Sequence, residues 1–269
     1  MISGLEDITT ATILLIIVAG FAAGWIDAVV GGGGLLQLPV VLMIPGITPV
    51  QALATNKMGS IFGTATSSVT YYKRVKPDLR TALPMAAVAL LGSLCGAVVA
   101  ASLPGSVFKP IIVVALVAVL VFTALKPNIG ELTALRYSGQ KHYVVAVCIG
   151  GLIGFYDGLI GPGTGSFLVI ALVSLMGYAF LEASAKAKIV NFATNAGALM
   201  FFLPHGSLLW GIGLILGAAN MAGGYLGART AVKKGSKFIR IVFLVVVAAL
   251  IIKLGADVWN ENILHQGSA

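Results

Sequence analysis

The chain has very little charge and very little cysteine for its length. Of its 269 residues, 10% are charged and 58% are hydrophobic, and the mean hydropathy is +1.02. So little polar surface excludes a water-soluble monomer. The two cysteines, Cys95 and Cys148, both lie in apolar runs, where we expect small buried side chains. They therefore predict no disulfide, zinc site or redox motif.

The sequence also lacks the groups of side chains that enzymes and metalloproteins use. Its three histidines, His142, His205 and His265, stand at the ends of apolar runs or in the tail, where we expect them to be solvated. No cluster of His, Cys and acid has the spacing of metal ligands, and no segment combines a nucleophile, a base and an orienting acid. We therefore expect no metal, no cofactor and no enzymatic activity.

Basic residues give a net charge of +8, but they gather in short loops between apolar runs. Short basic loops are typical of the cytoplasmic side of a membrane protein, so we expect a lipid bilayer rather than nucleic acid as the partner. The uncharged loop at 204–206 is placed outside. The three basic clusters are Lys73, Arg74, Lys76 and Arg80; Lys126, Arg136 and Lys141; and Arg229, Lys233, Lys234, Lys237 and Arg240.

What the chain does have is long apolar runs. Asp27 is the only charge from Ile8 to Thr55, and Asp157 is the only charge from His142 to Leu181. These runs exceed the roughly 20 apolar residues that cross a bilayer. We therefore predict an all-α polytopic membrane protein.

The chain is also duplicated. An acid followed by a glycine-rich stretch occurs at 27–34 and again at 157–165, an offset of 130 residues. Gly92 and Gly96 return as Gly223 and Gly227, an offset of 131. We divide the chain into a first membrane repeat at 1–130 and a second at 131–269. Duplicated breaks inside apolar runs are typical of transporters.

Each repeat divides into five apolar elements. The first basic cluster follows the third element of the first repeat, whereas the equivalent place in the second repeat is the uncharged loop at 204–206. Equivalent loops then fall on opposite sides, which predicts a five-plus-five inverted repeat with both termini outside. A parallel arrangement of four spans per half, with re-entrant short segments, is the alternative, but it puts the third basic cluster outside. The predicted elements are 8–30, 35–45, 52–73, 81–103 and 107–125, then 142–160, 165–178, 183–204, 207–229 and 238–258.

The glycine-rich breaks indicate places where a helix stops inside the membrane. Glycine costs about 1 kcal/mol relative to alanine in a helix interior, and broken backbone at this depth is tolerated only where it lines a cavity or is buried in protein. The helix that restarts after each break presents free N–H groups and the positive end of its dipole, which favour an anion. Close helix packing is the alternative role of these glycines, and it fits Gly92, Gly96, Gly223 and Gly227 better.

Polar side chains inside the apolar runs accompany the breaks. Asp27 and Asp157 precede them, and we expect nearby lysines as their partners, with Lys57 and Lys188 at equivalent positions. We predict a central anion site, with Asp27 or Asp157 carrying a coupled proton. A structural ion pair or a helix cap is the alternative for each aspartate. The predicted substrate-binding residues are Gly32, Gly33, Gly34, Gln37, Asn56, Lys57, Gly163, Thr164, Gly165, Lys188, Asn191 and Asn195.

The stretch 27–34, continued by Gln37, Leu38 and Pro39 and then by 51–57, resembles the sulfite exporter TauE/SafE family of membrane permeases. The segments 154–165 and 183–195 resemble the second repeat of that family. The resemblance implies a multi-pass carrier in a bacterial plasma (inner) membrane that exports small sulfur-containing anions such as sulfite or an organosulfonate, for example sulfoacetate. It further implies proton coupling. We predict that the two halves rock around the central anion site and expose it alternately to either side of the membrane. An anion channel, or a carrier of another small oxyanion or carboxylate, is the alternative, and the oligomeric state is left open.

Overall fold

The computed structural model describes residues 9–102 and 132–266, and every regular element in these ranges is helical. In chain order the helices are α1 (Thr10–Val30), α2 (Gly34–Leu42), α3 (Pro49–Val75), α4 (Leu79–Ala100), α5 (Gly139–Leu159), α6 (Thr164–Ala171), α7 (Phe180–Phe202) and α8 (Trp210–Gln266). The helix α6 continues as a π-helical turn, Leu172–Met176, and α8 is interrupted at Gly235, whose φ of 75° and ψ of −172° are not helical. The predicted element 107–125 lies outside the described residues.

Four of these helices are long and apolar enough to cross a membrane: α1, α4, α5 and the part of α8 from Trp210 to Val242. Their large apolar side chains point outward, with Val18, Leu91 and Leu152 each more than half exposed. The helices α3 and α7 have 27 and 23 residues, which is also enough at 1.5 Å per residue. They are more polar because they carry the buried polar residues of the centre. The predicted all-α class is confirmed for the described residues.

Two seams lined by glycine join the first half of the chain to the second. In the first seam α1 packs on α8, and in the second α5 packs on α4. A methyl group added to Gly24 would lie 2.8 Å from Cα of Asn220, and one added to Gly154 would lie 2.7 Å from Cα of Ala89. Because Gly24 and Gly154, and likewise Ala89 and Asn220, occupy equivalent repeat positions, the two seams are copies of one packing arrangement.

The glycines predicted to serve helix packing lie in these same seams. A methyl group on Gly92 would lie 3.0 Å from the backbone nitrogen of Phe155, and one on Gly223 would lie 2.8 Å from that of Trp25. Gly96 and Gly227, one turn further along, face the same partner helices. Glycine is needed here because the backbones of the paired helices touch.

The sequence in which residues of paired helices touch gives the directions of the helices. In the first seam Gly20 faces Ala219 and Gly227 faces Ala28, so α1 and the first part of α8 run the same way. Gly213 against Met58 and Gly224 against Gly63 add α3 to this group.

The helices α4, α5 and α7 form a second group that runs in the opposite direction. The start of α7 meets the start of α4, where Lys186 Nζ donates to the carbonyl of Asp78 at 3.1 Å, and Ser93 Oγ donates to the carbonyl of Thr194 further along at 2.7 Å. The helix α3 runs antiparallel to α7. Thr64 of α3 lies beside Asn195 of α7, whereas Tyr71, further along α3, bonds the carbonyl of Ala28 next to Asp27, which Lys188 reaches from an earlier position on α7. Equivalent helices of the two halves, α1 and α5, therefore point in opposite directions.

Described members of the three basic clusters gather at one end of the helices, where α3 ends and α4, α5 and α7 begin. Arg136, Lys76 and Lys186 line one cleft there, and Arg74 with Arg229 lines another. The opposite end includes the loop at 203–206, which carries no basic residue other than His205.

Two expectations from the sequence are wrong. Cys95 and Cys148 are free but exposed, because the apolar faces that carry them turn outward. His142 is buried rather than solvated: its Nε2 lies 3.1 Å from Oγ1 of Thr81 and 2.9 Å from the hydroxyl of Tyr178. The position of His142 at the end of an apolar run did not reveal that neighbouring helix ends cover its side chain.

Candidate functional site

Each glycine-rich break ends one helix and starts a shorter one. The break after α1 contains Gly31 and Gly32, with φ of 80° and 92°, and the break after α5 contains Gly161 and Gly163, with φ of 85° and 90°. Positive φ is readily adopted by glycine and rarely by other residues. The chain therefore leaves the helix at the places that the repeats predicted, and it re-enters at Gly34 and Thr164.

The two breaks contact each other through their backbones. A methyl group on Gly165 would lie 2.7 Å from Cα of Gly31, and Gly31 packs tightly against Gly165 and Ser166 in return. The hydroxyl of Ser166 donates to the carbonyl of Val30 at 3.2 Å, which ties the start of α6 to the end of α1. The centre of the molecule is thus built from both halves.

Two ion pairs cross between the halves at this point. Lys57 Nζ lies 2.6 Å from Oδ2 of Asp157, and Lys188 Nζ donates to Oδ2 of Asp27 at 2.8 Å. Both lysines and Asp157 are buried, while the side chain of Asp27 is 13% exposed. The expected pairing of aspartates with lysines is confirmed, and each pair joins an aspartate of one repeat to the lysine of the other.

The ion pairs border a small polar cavity. Its volume is about 20 Å³, which is room for little more than one water molecule. The side-chain oxygen Oδ1 of Asn56, which is buried at this cavity, has no hydrogen-bond partner among the described residues. The lining residues are Asp27, Gly32, Gly34, Asn56, Lys57, Ser60, Asp157, Gly161, Gly163, Thr164, Gly165, Asn191 and Asn195.

Most of the predicted site residues are therefore brought together. Lys188 reaches the cavity through Asp27, and Gly33 donates its N–H to Oδ1 of Asp27 at 3.4 Å. Gln37 is not among the lining residues. Its side-chain nitrogen donates to the carbonyl of Asn56 at 3.3 Å, and its oxygen accepts from Asn220 Nδ2 at 2.6 Å.

The amides on α7 are partly engaged within the protein. Asn191 Oδ1 accepts from the hydroxyl of Thr194 at 3.2 Å. Asn195 Nδ2 donates to Oγ1 of Thr64 at 3.5 Å, across the two halves. Both asparagines still line the cavity.

Sequence reasoning missed one buried polar residue. Asn220 is an isolated amide in the apolar first part of α8, and that isolation was the signal that could have identified it. Lys186 is buried on the same helix as Lys188 but is not part of the site. It lies away from the cavity, bonded to the carbonyl of Asp78 and 4.7 Å from the centre of the Tyr178 ring.

The surroundings of Lys186 include an aspartate with a shifted pKa. Partial burial alone would raise the pKa of Asp78, but hydrogen bonds from the Thr81 side chain and the Arg80 backbone, with the charge of Lys186, lower it overall. Asp78 thus stays ionised as the N-cap of α4. In the described ranges, no group of three His, Cys, Asp or Glu residues is placed to hold a metal ion.

Comparison with known proteins gives a consistent family match. Residues 16–254 match the family model described as "Sulfite exporter TauE/SafE". The chain is 39% identical over 253 residues to the "Probable membrane transporter protein ORF9" of Sinorhizobium sp, covering 94% of this chain and 96% of that protein. It is 33% identical over 243 residues to the "Probable membrane transporter protein YfcA" of Escherichia coli strain K12, covering 90% and 89%. No solved structure matches the chain.

Proposed function

The chain belongs to the sulfite exporter TauE/SafE family of membrane transporters, and from this premise we propose that it carries small sulfur-containing anions through its central cavity. Sulfite and organosulfonates such as sulfoacetate are the proposed substrates, and export is the proposed direction. Membership of a transporter family also argues against an enzyme.

The observation that supports this best is the composition of the cavity wall. Lys57 lines the cavity, and Lys188, at the equivalent repeat position, binds the lining carboxylate of Asp27. Both lie beside the two glycine-rich breaks. A short helix begins at each break, so the positive ends of two helix dipoles point toward the same small space. Ionisable residues buried in a membrane protein are costly and are commonly functional.

The proposed architecture is an inverted repeat of 1–130 and 131–269 in a multi-pass plasma-membrane protein. The opposite directions of α1 and α5, and the duplicated glycine seams, support it. The end that carries the basic clusters is assigned to the cytoplasm. Inverted repeats that meet around broken helices are suited to alternating access, in which one part rocks against the other around a fixed site.

The size of the cavity supports a carrier over a channel. At about 20 Å³ it holds roughly one water molecule, which is too little for sulfite. An anion therefore requires the wall to move before it binds. We propose that Asp27 or Asp157 carries the coupled proton during this cycle, since each holds one of the lysines.

The test is uptake of labelled sulfite into liposomes that contain the purified protein, with sulfoacetate, sulfate and small carboxylates as competitors. We expect Lys57→Ala and Lys188→Ala to abolish uptake, because Lys57 lines the cavity and Lys188 is the cation bound to the lining Asp27. Lys186→Ala is the matched control, since this buried lysine lies on the same helix as Lys188 but away from the cavity. Uptake by the wild type no greater than by empty liposomes, or normal uptake by folded Lys57→Ala, would contradict the proposal.

A further inference from the structure

The aspartates of the central site occupy the donors that the proposed function assigns to the anion. The carboxylate of Asp27 accepts from Lys188 through Oδ2 at 2.8 Å and from the backbone N–H of Gly33 through Oδ1 at 3.4 Å. One lysine ammonium and one N–H of a glycine break are therefore already bound to an oxyanion that belongs to the protein.

The second ion pair, Lys57 with Asp157, is less exposed to solvent than the first. Lys57 lies 2.6 Å from Asp157, and both side chains are 2% exposed. A methyl group on Gly161 would lie 2.9 Å from Lys57 Nζ, so the lysine is pressed against the backbone of the second break. An anion that binds this ammonium from the small cavity therefore competes with the carboxylate of Asp157 for it.

Charge balance at the centre also indicates that an anion and the carboxylates compete for the lysines. Two lysines and two aspartates sum to zero, so an anion that enters with both pairs intact adds uncompensated negative charge in a buried site, which is strongly unfavourable. Protonation of an aspartate removes its negative charge and frees the partner lysine. The broken lysine–carboxylate pair is then replaced by a lysine–anion pair, and the proton stays on the carboxylate.

We infer that Asp27 and Asp157 are built-in competitors of the substrate, so that the carrier moves protons in the same direction as its anion and works as a proton–anion symporter. This rests on the proposed function and gives the sign of its coupling. The proton binds the carboxylate and thereby frees the lysine for the anion. Each ligand therefore raises the affinity of the protein for the other by the same factor. An antiporter would require the two to exclude each other.

The two phenols near the aspartates do not supply an alternative proton. Lys57 is close enough to interact with both carboxylates. Tyr71 on α3 faces Asp27, and Tyr156 adjoins Asp157. Both phenols donate their hydrogen to a backbone carbonyl, of Ala28 and Pro162 respectively, at 2.8 Å. Phenols stay neutral near neutral pH, so the two carboxylates carry the change.

The test is the affinity for sulfate, measured by calorimetry on the detergent-solubilised full chain at about pH 8 and about pH 5.5. Sulfate is chosen because it stays a dianion over this range, whereas sulfite itself takes up a proton. The wild type is expected to bind about tenfold or more tightly at the acidic pH, a change of about 1.4 kcal/mol or more. Asp27→Asn and Asp157→Asn are each expected to bind about tenfold more tightly than the wild type at pH 8, and the double variant to lose most of the pH dependence.

Two variants serve as controls. Asp78→Asn changes an aspartate that lies away from the cavity, and His142→Gln removes a buried histidine that contacts Thr81 and Tyr178 rather than the cavity. Both variants are expected to behave as the wild type. An affinity of the wild type that does not change with pH would overturn the inference, as would weaker binding by folded Asp27→Asn and Asp157→Asn. If sulfate, sulfite and sulfoacetate all fail to bind the wild type at either pH, the proposed anion site fails and the inference falls with it.

Discussion

At the scale of single residues, the centre is held by two buried ion pairs whose partners depend on each other. Desolvation makes a buried charge expensive, and its partner offsets this cost only while both are present. Lys57 and Asp157 have almost no access to solvent. Their contribution is therefore best seen by removing one partner and then both.

We expect Lys57→Met to lower the free energy of unfolding by about 3–5 kcal/mol, because it leaves the carboxylate of Asp157 buried without a partner. Adding Asp157→Asn is expected to restore most of this loss, since the remaining groups are neutral. Denaturant unfolding in detergent of both single variants and of the double variant measures the coupling. Additive losses in the double variant would mean that the two side chains do not interact.

The charged members of the site could be predicted from the sequence, whereas some amides could not. Charges are so rare in the apolar runs that Asp27 and Asp157 stand out, and the repeat offset relates Lys57 to Lys188. Nothing in the sequence gives the rotation of α2 about its axis, so the direction of Gln37 could not be predicted. Its bond to Asn220 joins residues 183 positions apart, which no local pattern reveals.

At the scale of helices, the glycine seams decide how closely the two halves approach. A helix interface in lipid gains little from the hydrophobic effect and depends on close packing of small residues. Gly154 meets the backbone of Ala89, which cannot move aside, whereas Gly151 on the same helix meets only the end of the Val88 side chain at 3.2 Å. Neighbouring glycines on one helix therefore have different tolerance for a methyl group.

Gly154→Ala is expected to lower stability by about 1–3 kcal/mol through overpacking. Gly24→Ala, at the equivalent place in the other seam, is expected to do the same. Gly151→Ala is the matched control and is expected to be neutral or to gain up to about 1 kcal/mol from its better helix propensity. Thermal unfolding in detergent ranks the three variants. Equal losses at 151 and 154 would show that the seam is looser than its backbone contacts indicate.

The two helix breaks were easier to predict from the sequence than the polarity of the helices α3 and α7. Glycine runs placed both restarts within two residues of Gly34 and Thr164, because no other residue type adopts those backbone angles so readily. By contrast, α3 and α7 were predicted as elements at 52–73 and 183–204, but they do not reach the hydropathy of the four candidate spans. Their polar side chains face the centre of the molecule, which lowers their hydropathy.

At the scale of the whole molecule, the direction of the helices and the distribution of charge support the same topology. Helices α1, α3 and the first part of α8 run one way, and α4, α5 and α7 run the other. The described basic clusters lie at the end where the first group finishes and the second begins. Short basic loops are commonly retained in the cytoplasm, which supports the proposed placement of this end inside and of the loop at 203–206 outside.

The proposed topology is tested by labelling single cysteines in intact cells with a membrane-impermeant maleimide. Cys95→Ala with Cys148→Ala gives a background without the two exposed native thiols. In it we expect His205→Cys to be labelled from outside, and Lys76→Cys and Gly235→Cys to be labelled only after the cells are opened. Lys76 follows α3 and His205 follows its equivalent, α7, so an inverted repeat places them on opposite sides. Labelling of both from the same side would rule out inversion and favour two parallel halves, whose broken helices would then enter the membrane from one side.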